Sequence, residues 1–335
     1  MREEILDSNT SYYLAEALDT WFSVGHRDVA VPEAAGSSAR VFLLKHASKP
    51  LPWRQNPAFK VMRHDKIAYA MPLFREEFKI LSHLKDMDAI TPILLGGYLK
   101  PAPGTSWPEE LAPTSKVLEL QGGGQNIKGT LAIFEPDEVD DILQQFDERV
   151  QDGWLPFLIL ERRWEDNLYM LCDAGYTRGN FIQNLSMKQV LDIAIQICEI
   201  LEKAHAQGAV FLDHKLLHYY WNETRQKVII LDWNIGRWMG DDMAPEIIRD
   251  DLLQFSARAL HHLFTGQQAP GAAVVGGNRP EDIANSPIQY KAQYSFDVQN
   301  RLNKDEMAFL EKALEGAFSS ASEMKAQLMV LAAKR

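Results

Sequence analysis

The chain has 335 residues, 46% of them apolar and 24% charged, the composition of an ordinary globular protein long enough for two lobes or two small domains. Its formal charge of -11 excludes a general nucleic-acid or anionic-membrane surface, which needs clustered Lys and Arg to neutralise phosphates, and leaves room only for a local positive site. Cys172 and Cys198 sit in apolar stretches without Cys-x-x-Cys spacing and read as reduced core thiols. With no basic start followed by an apolar run, and no stretch near the roughly 18 apolar residues of a membrane helix, a cytoplasmic chain without membrane insertion is expected.

In chain order, residues 1–26 place Tyr12, Leu14, Leu18, Trp21 and Phe22 at near-helical spacing after Asp7-Ser8-Asn9, which predicts a helical extension. From Val29 to Arg63 the pattern turns to short β-rich runs, Val29–Val31, Val41–Leu44 and Phe59–Met62, separated by Gly, Ser, Pro and Asn. Phe74, Phe78, Leu81 and Leu84 then mark a helix over 73–84, and Ile93-Leu94-Leu95 opens another strand. Residues 99–153 read as an insertion, with a strand pair flanking Gly122-Gly123-Gly124 and an acidic helix from Glu135 to Val150. Phe157–Leu160 is a buried strand. Beyond it the pattern is helical over 187–206, 250–265, 304–315 and 322–333. The expected class is α+β: a β-rich first lobe over 27–160 with one key helix, and an α-rich second lobe over 161–335.

Several charged residues interrupt these apolar runs. Lys60 lies inside the strand Phe59–Met62, and Glu77 lies on the helix that follows. Taken singly, Lys60 fits an edge-strand lysine in water and Glu77 an exposed helix acid. Taken together, the glutamate is the natural partner for a lysine that an apolar strand would bury. Further on come Phe211-Leu212-Asp213-His214-Lys215, then Val228–Leu231 delivering Asp232, then Ala244-Pro245-Glu246, and Asp251 leading a helix that ends Leu263-Phe264-Thr265-Gly266.

In order and spacing these fragments resemble the protein-kinase family, over about residues 29–333 without 99–153. The resemblance implies a two-lobed kinase-like fold and ATP-dependent phosphoryl transfer to a protein Ser or Thr hydroxyl, with ATP and Mg²⁺ as ligands and a protein substrate or signalling partner. By it, Lys60 contacts the α and β phosphates, Glu77 orients Lys60, Asp213 positions the substrate hydroxyl, Lys215 steadies the γ-phosphate, and Asp232 holds Mg²⁺. Ala34-x-Gly36-x-x-Ala39-x-Val41 falls where the family has its glycine-rich loop. Ala58 lies against the adenine, Leu160 guards the back pocket, and Leu160-Glu161-Arg162-Arg163 is the hinge.

The chain departs from the family in ways that keep other functions open. His218 stands where the family has an Asn for the second metal, and a neutral imidazole suits Mg²⁺ poorly. His214 and His218 have zinc-helix spacing but fall in a predicted loop, without the Glu of His-Glu-x-x-His. Phe211 and Leu212 replace the usual His and Arg, which removes the partner for a phosphate on the activation segment and predicts no switching by loop phosphorylation. The segment from Asp232 to Glu246 is short. A pseudokinase that binds nucleotide or a partner, and a small-molecule kinase, are the competing readings.

Overall fold

The structure, a computed structural model, describes residues 1–6, 12–17, 38–46, 57–103, 125–126, 129–162, 166–173, 185–272, 290–294 and 301–335. Among them the chain is mixed α and β. It divides into two compact units, Met1–Lys85 with Thr91–Trp164, and Asp86–Ile90 with Glu165–Arg335. No described helix is long and apolar enough to cross a membrane. Cys172 and Cys198 are free and buried, and burial pushes the Cys198 thiol up, away from the reactive thiolate form.

The first unit is built on one sheet. Its strands are β1 (Arg2–Leu6), β2 (Tyr12–Ala17), β3 (Ala39–His46), β4 (Ala58–Met62), β5 (Ile93–Pro101), β6 (Gln125–Asn126), β7 (Gly129–Phe134) and β8 (Leu155–Leu160). They pair antiparallel in the order β1-β7-β5-β8-β4-β3-β2-β6. All five residues of β4 are buried, which is what a run of apolar residues between two neighbouring strands predicts and what makes its lysine exceptional.

Helix α1 (Ile67–His83) buries Ala70, Leu73, Phe74, Glu77, Phe78 and Leu81, a stripe at three- and four-residue intervals. Helix α2 (Val139–Gln151) buries Val139, Ile142, Phe146 and Val150 in the same way. The two helices meet where the Phe78 ring sets its edge on Phe146, 6.4 Å between centroids, and where Arg75 pairs with Asp147. Gly96 of β5 makes room for this layer: a Cβ there would lie 2.8 Å from the Phe78 ring.

One expectation changes here. The described part of 1–26 forms strands β1 and β2 rather than a helix. Tyr12-Tyr13-Leu14 has strand as well as helix propensity, and pairing with β3 and β6 satisfies its backbone groups, so the sheet overrides the helical spacing. Leu18, Trp21 and Phe22 lie outside the described residues, as do Val29–Val31. Within the segment 99–153, β7 lies between β5 and β1 in the sheet, and the Tyr98 hydroxyl of β5 donates to the Ile142 carbonyl of α2. The acidic helix stands as expected, whereas residues 104–124, with Gly122-Gly123-Gly124, are outside the described residues.

The second unit is mainly helical. Its elements are β9 (Asp166–Asn167), α3 (Leu168–Asp173), α4 (Met187–Ala206), β10 (Ala209–Val210), β11 (Tyr219–Asn222), β12 (Lys227–Ile230), β13 (Arg237–Trp238), α5 (Pro245–Gln254), a π-helical stretch Phe255–Leu260, α6 (His261–Thr265), α7 (Lys304–Leu314) and α8 (Ala321–Ala332). Helix α4 starts with a reciprocal cap between Ser186 and Gln189 and buries Val190, Leu191, Ala194, Ile197, Cys198 and Leu201. Just past its end, Gly208 has φ +82°, and a Cβ there would lie 2.7 Å from the Gly240 backbone, so a side chain is excluded. That close approach sets β10 against β13, with Ala209 opposite Trp238. The next helix begins at Pro245, earlier than the expected 250, because Ala244 is its N-cap and a proline suits the first helical position. Ala244-Pro245-Glu246 is therefore the start of the helix that carries Asp251, and Glu246 is exposed.

Candidate functional site

In the first unit, Lys60 faces α1 and its Nζ donates to Glu77 Oε1 at 2.7 Å, with side-chain exposures of 6% and 1%. Removing two charges from water costs several kcal/mol per ion, so a pair this deep gains little stability over apolar residues of like size. Its position invites a functional explanation. Around it, Ala58 and Ala39 are buried, Val41 of β3 is directly opposite Lys60, and Ala58 is opposite Leu160. The Glu161 N–H donates to the Pro92 carbonyl oxygen at 3.3 Å. Gly36 and Arg163 lie outside the described residues.

The second unit gathers the expected loop residues. Val210-Phe211-Leu212-Asp213 leaves β10 and turns sharply, the Asp213 N–H bonding Phe211 O and the Lys215 N–H bonding Asp213 O, both at 2.8 Å. Leu212 has φ +62°, a left-handed conformation that costs a branched residue roughly 1–2 kcal/mol. Asp232, leaving β12, has φ +62° and ψ +64°. Strained backbone of this kind persists only where neighbours over-determine it, and it gathers at functional sites.

What holds Leu212 is Asp251 on α5. Its Oδ1 accepts the Leu212 N–H at 2.7 Å and a bond from His214 Nε2 at 2.7 Å, and its Oδ2 accepts from His205 Nε2 at 2.7 Å. Burial pushes this carboxyl up, but the two imidazoles more than offset that and hold it well below the usual carboxylate range. The far nitrogen of His214 meets the Tyr219 hydroxyl at 2.5 Å. Both ring nitrogens of His214 are thus engaged, so it shares no ion with His218. Phe211 fills the space behind, 4.8 Å from Trp233 ring to ring, as its apolar character suggests. Leu212 joins Val210 and Ile235 in an apolar cluster against Met243 and Ile247, contacts that an arginine there would not make.

Asp213 itself is 4% exposed at its side chain. Lys215 Nζ donates to its Oδ2 at 2.9 Å, and Arg258 from the π-helical stretch stands 3.7 Å from its Oδ1. Arg258 and His205 are missing from the sequence-based set of site residues. For Arg258 the signal was present: one arginine within the apolar run Phe255–Phe264 must find a charged partner if buried. The single-turn π geometry that carries it is itself frequent at functional sites.

Asp232 and His218 complete the cluster. His218 Nδ1 lies 2.9 Å from the Asp213 backbone oxygen, and its Nε2 lies 3.5 Å from Asp232 Oδ2. The Asp232 carboxylate, 36% exposed, is a hard oxygen donor that suits a divalent cation. Among the described residues no group of three or more His, Cys, Asp or Glu is placed so that it could hold a metal ion. A cation shared with phosphate oxygens needs only one or two protein ligands, so the donor set fits that use. No protein-family model matches the chain, and no curated protein matches it either.

Proposed function

We propose that this chain is a divergent phosphotransferase of the protein-kinase type, moving the γ-phosphoryl of ATP to a protein Ser or Thr hydroxyl. The observation that carries this reading is the Lys60–Glu77 pair: a lysine on a fully buried strand, held by a helix glutamate at 2.7 Å, is an expensive way to build a core and an effective way to present a fixed cation to phosphate. Support also comes from the left-handed backbone at Leu212 and Asp232, on either side of the Asp213 turn.

In this reading Lys60 binds the α and β phosphates and Glu77 fixes its direction. Asp213 orients the attacking hydroxyl, and Lys215 meets the γ-phosphate in place of its present bond to Asp213. Asp232 holds Mg²⁺, which supplies charge neutralisation on the phosphates. Thermal unfolding with ATP, with and without Mg²⁺, tests the binding half: ligand at about 100 times its Kd stabilises by about 2.7 kcal/mol, and Asp232→Ala removes the Mg²⁺-dependent part. Phosphoryl transfer to a protein substrate is expected to vanish in Asp213→Ala, and an unchanged rate would defeat the proposal.

A second reading, a nucleotide-binding or partner-binding pseudokinase, is favoured by one feature. The Asp213 carboxylate is enclosed, with Lys215 already on Oδ2. Under it, Asp213→Ala leaves nucleotide or partner binding intact and there is no transfer to lose.

A further inference from the structure

Residues 290–294, Tyr-Lys-Ala-Gln-Tyr, form no helix or strand, so their backbone groups need partners from elsewhere in the second unit. One histidine sits at the centre of that contact. His261, at the start of α6, is fully buried; its Nε2 lies 3.2 Å from the Gln293 backbone nitrogen and its Nδ1 lies 2.8 Å from the Gln267 carbonyl oxygen. The Tyr294 ring stacks on the imidazole, 6.3 Å between centroids, and its hydroxyl donates to the Met307 carbonyl at 3.3 Å. At the other end of the segment, Tyr290 packs with Ala257, Ala269, Ala272 and Leu314.

The backbone contacts fix the state of the ring. A carbonyl oxygen only accepts, so Nδ1 carries a proton; an amide N–H only donates, so Nε2 presents a lone pair. Thr265 agrees with this. Its hydroxyl proton goes to a carbonyl, His261 O at 2.7 Å or Gln267 O at 3.1 Å, which leaves its oxygen an acceptor toward Nδ1 at 3.1 Å. Only the neutral imidazole meets all of these contacts. A second proton, on Nε2, would set donor against donor at Gln293 and place a charge in a buried site.

The surroundings do not offset that cost. Burial holds the imidazole below its ordinary value, and the charge of His262, next on α6, adds to the effect against the opposing bond to Gln267. The segment itself brings Lys291, which is exposed, and Tyr294, which burial and then Glu311 of α7 push up to about 12. On the elements packed against α6, His205 of α4 is bonded to Asp251, Tyr169 of α3 sets its ring against His262, and Arg258 of the π-helical stretch stands by Asp213. Among the described residues no carboxylate pairs with His261.

We infer that His261 is a pH-sensitive latch on segment 290–294: neutral, it ties the segment to α6, and protonated, it lets the segment go. The unlatched ring has the ordinary histidine value of about 6.5 and the latched ring a lower one. The latch is therefore at full strength above about 6.5 and weakens as pH falls from there toward the latched value. This inference uses no part of the phosphotransferase reading.

Amide hydrogen exchange of the full chain between pH 7.5 and 5.5, corrected for the intrinsic pH dependence of exchange, tests it. Protection of 290–294 should fall relative to that of α4 in the same chain, by up to about tenfold, the limit for one proton bound on release. His261→Gln keeps an oxygen able to accept the Gln293 N–H and does not titrate, so in it the fall should disappear. Protection that stays level in the native chain, that falls equally in α4, or that falls undiminished in His261→Gln would overturn the inference. Should His261→Gln fail to fold, ¹⁵N NMR of the native imidazole decides. Nε2 should carry a lone pair at pH 7.5, and ring protonation should coincide with the loss of protection; a proton on Nε2 at pH 7.5, or protonation without that loss, would overturn the latch.

Discussion

Lys60 with Glu77 in the first unit and Asp251 with its donors in the second both bury charge, yet they do so by different means. The first joins two side chains, one from β4 and one from α1, at 2.7 Å. The second gathers His205 from the end of α4, His214 from the loop, and the backbone N–H of a strained Leu212 around a single carboxylate. A side-chain pair can be exchanged as a unit for apolar residues that fill the same volume. A carboxylate that also satisfies the backbone of a left-handed residue has no apolar substitute, because the N–H would remain buried and unpaired. The pair is thus exchangeable in stability, whereas the hub is not.

The largest effect is expected at the hub. Asp251→Ala strands the Leu212 N–H and both imidazole contacts, and should cost at or beyond the upper end of about 3–5 kcal/mol, read as a collapse of the denaturant midpoint or failure to fold. A loss below about 1 kcal/mol would show that the cluster is not the anchor of the Asp213 turn. Acid should weaken the same anchor. The Asp251 carboxyl is held below its ordinary value in the folded state, so its contribution is present above that value and lost as pH falls through the depressed one.

Next comes the pair. Glu77→Ala leaves the Lys60 ammonium buried without this carboxylate and should cost about 3–5 kcal/mol, while the double change Lys60→Met with Glu77→Leu should recover most of it or exceed the parent. The same double variant should show no thermal shift with ATP. If it stays as unstable as Glu77→Ala, the distinction between an exchangeable pair and a fixed hub is lost.

Arg258→Met probes the link between the π-helical stretch and Asp213. Removing a buried cation 3.7 Å from the carboxylate should cost about 1–3 kcal/mol, and if Arg258 positions Asp213 the loss should fall on kcat more than on KM for ATP. The smallest effect concerns Asp250, beside the hub. Burial, and then the Asp251 carboxylate, push Asp250 up to about 6 from 3.8. The folded state therefore binds this proton more tightly than the unfolded state, and stability falls as pH rises between about 4 and about 6. Asp250→Asn should remove that slope, raising Tm relative to the native chain at pH 7 and leaving it equal near pH 4. An identical pH profile in both proteins would place Asp250 outside the hub's field.

The helices with strong three- and four-residue spacing, 187–206 above all, and the apolar strands around Lys60 and at 157–160 are legible in their own residues, because local pattern alone defines what each must bury. The sequence also marked Lys60, Glu77, Asp213 and Asp232 as charges set in apolar surroundings. The tertiary structure decided what local pattern leaves ambiguous. Tyr12–Ala17 became a strand because a sheet edge was available to pair with it, and 129–134 joined the same sheet across a long sequence separation. It decided, too, that Lys60 and Glu77 are a buried pair rather than two solvated side chains. That Arg258 reaches Asp213, and that Asp251 meets His205, follows from packing between elements far apart in the chain, since an element's own residues fix which face is buried but not which distant side chain that face will meet.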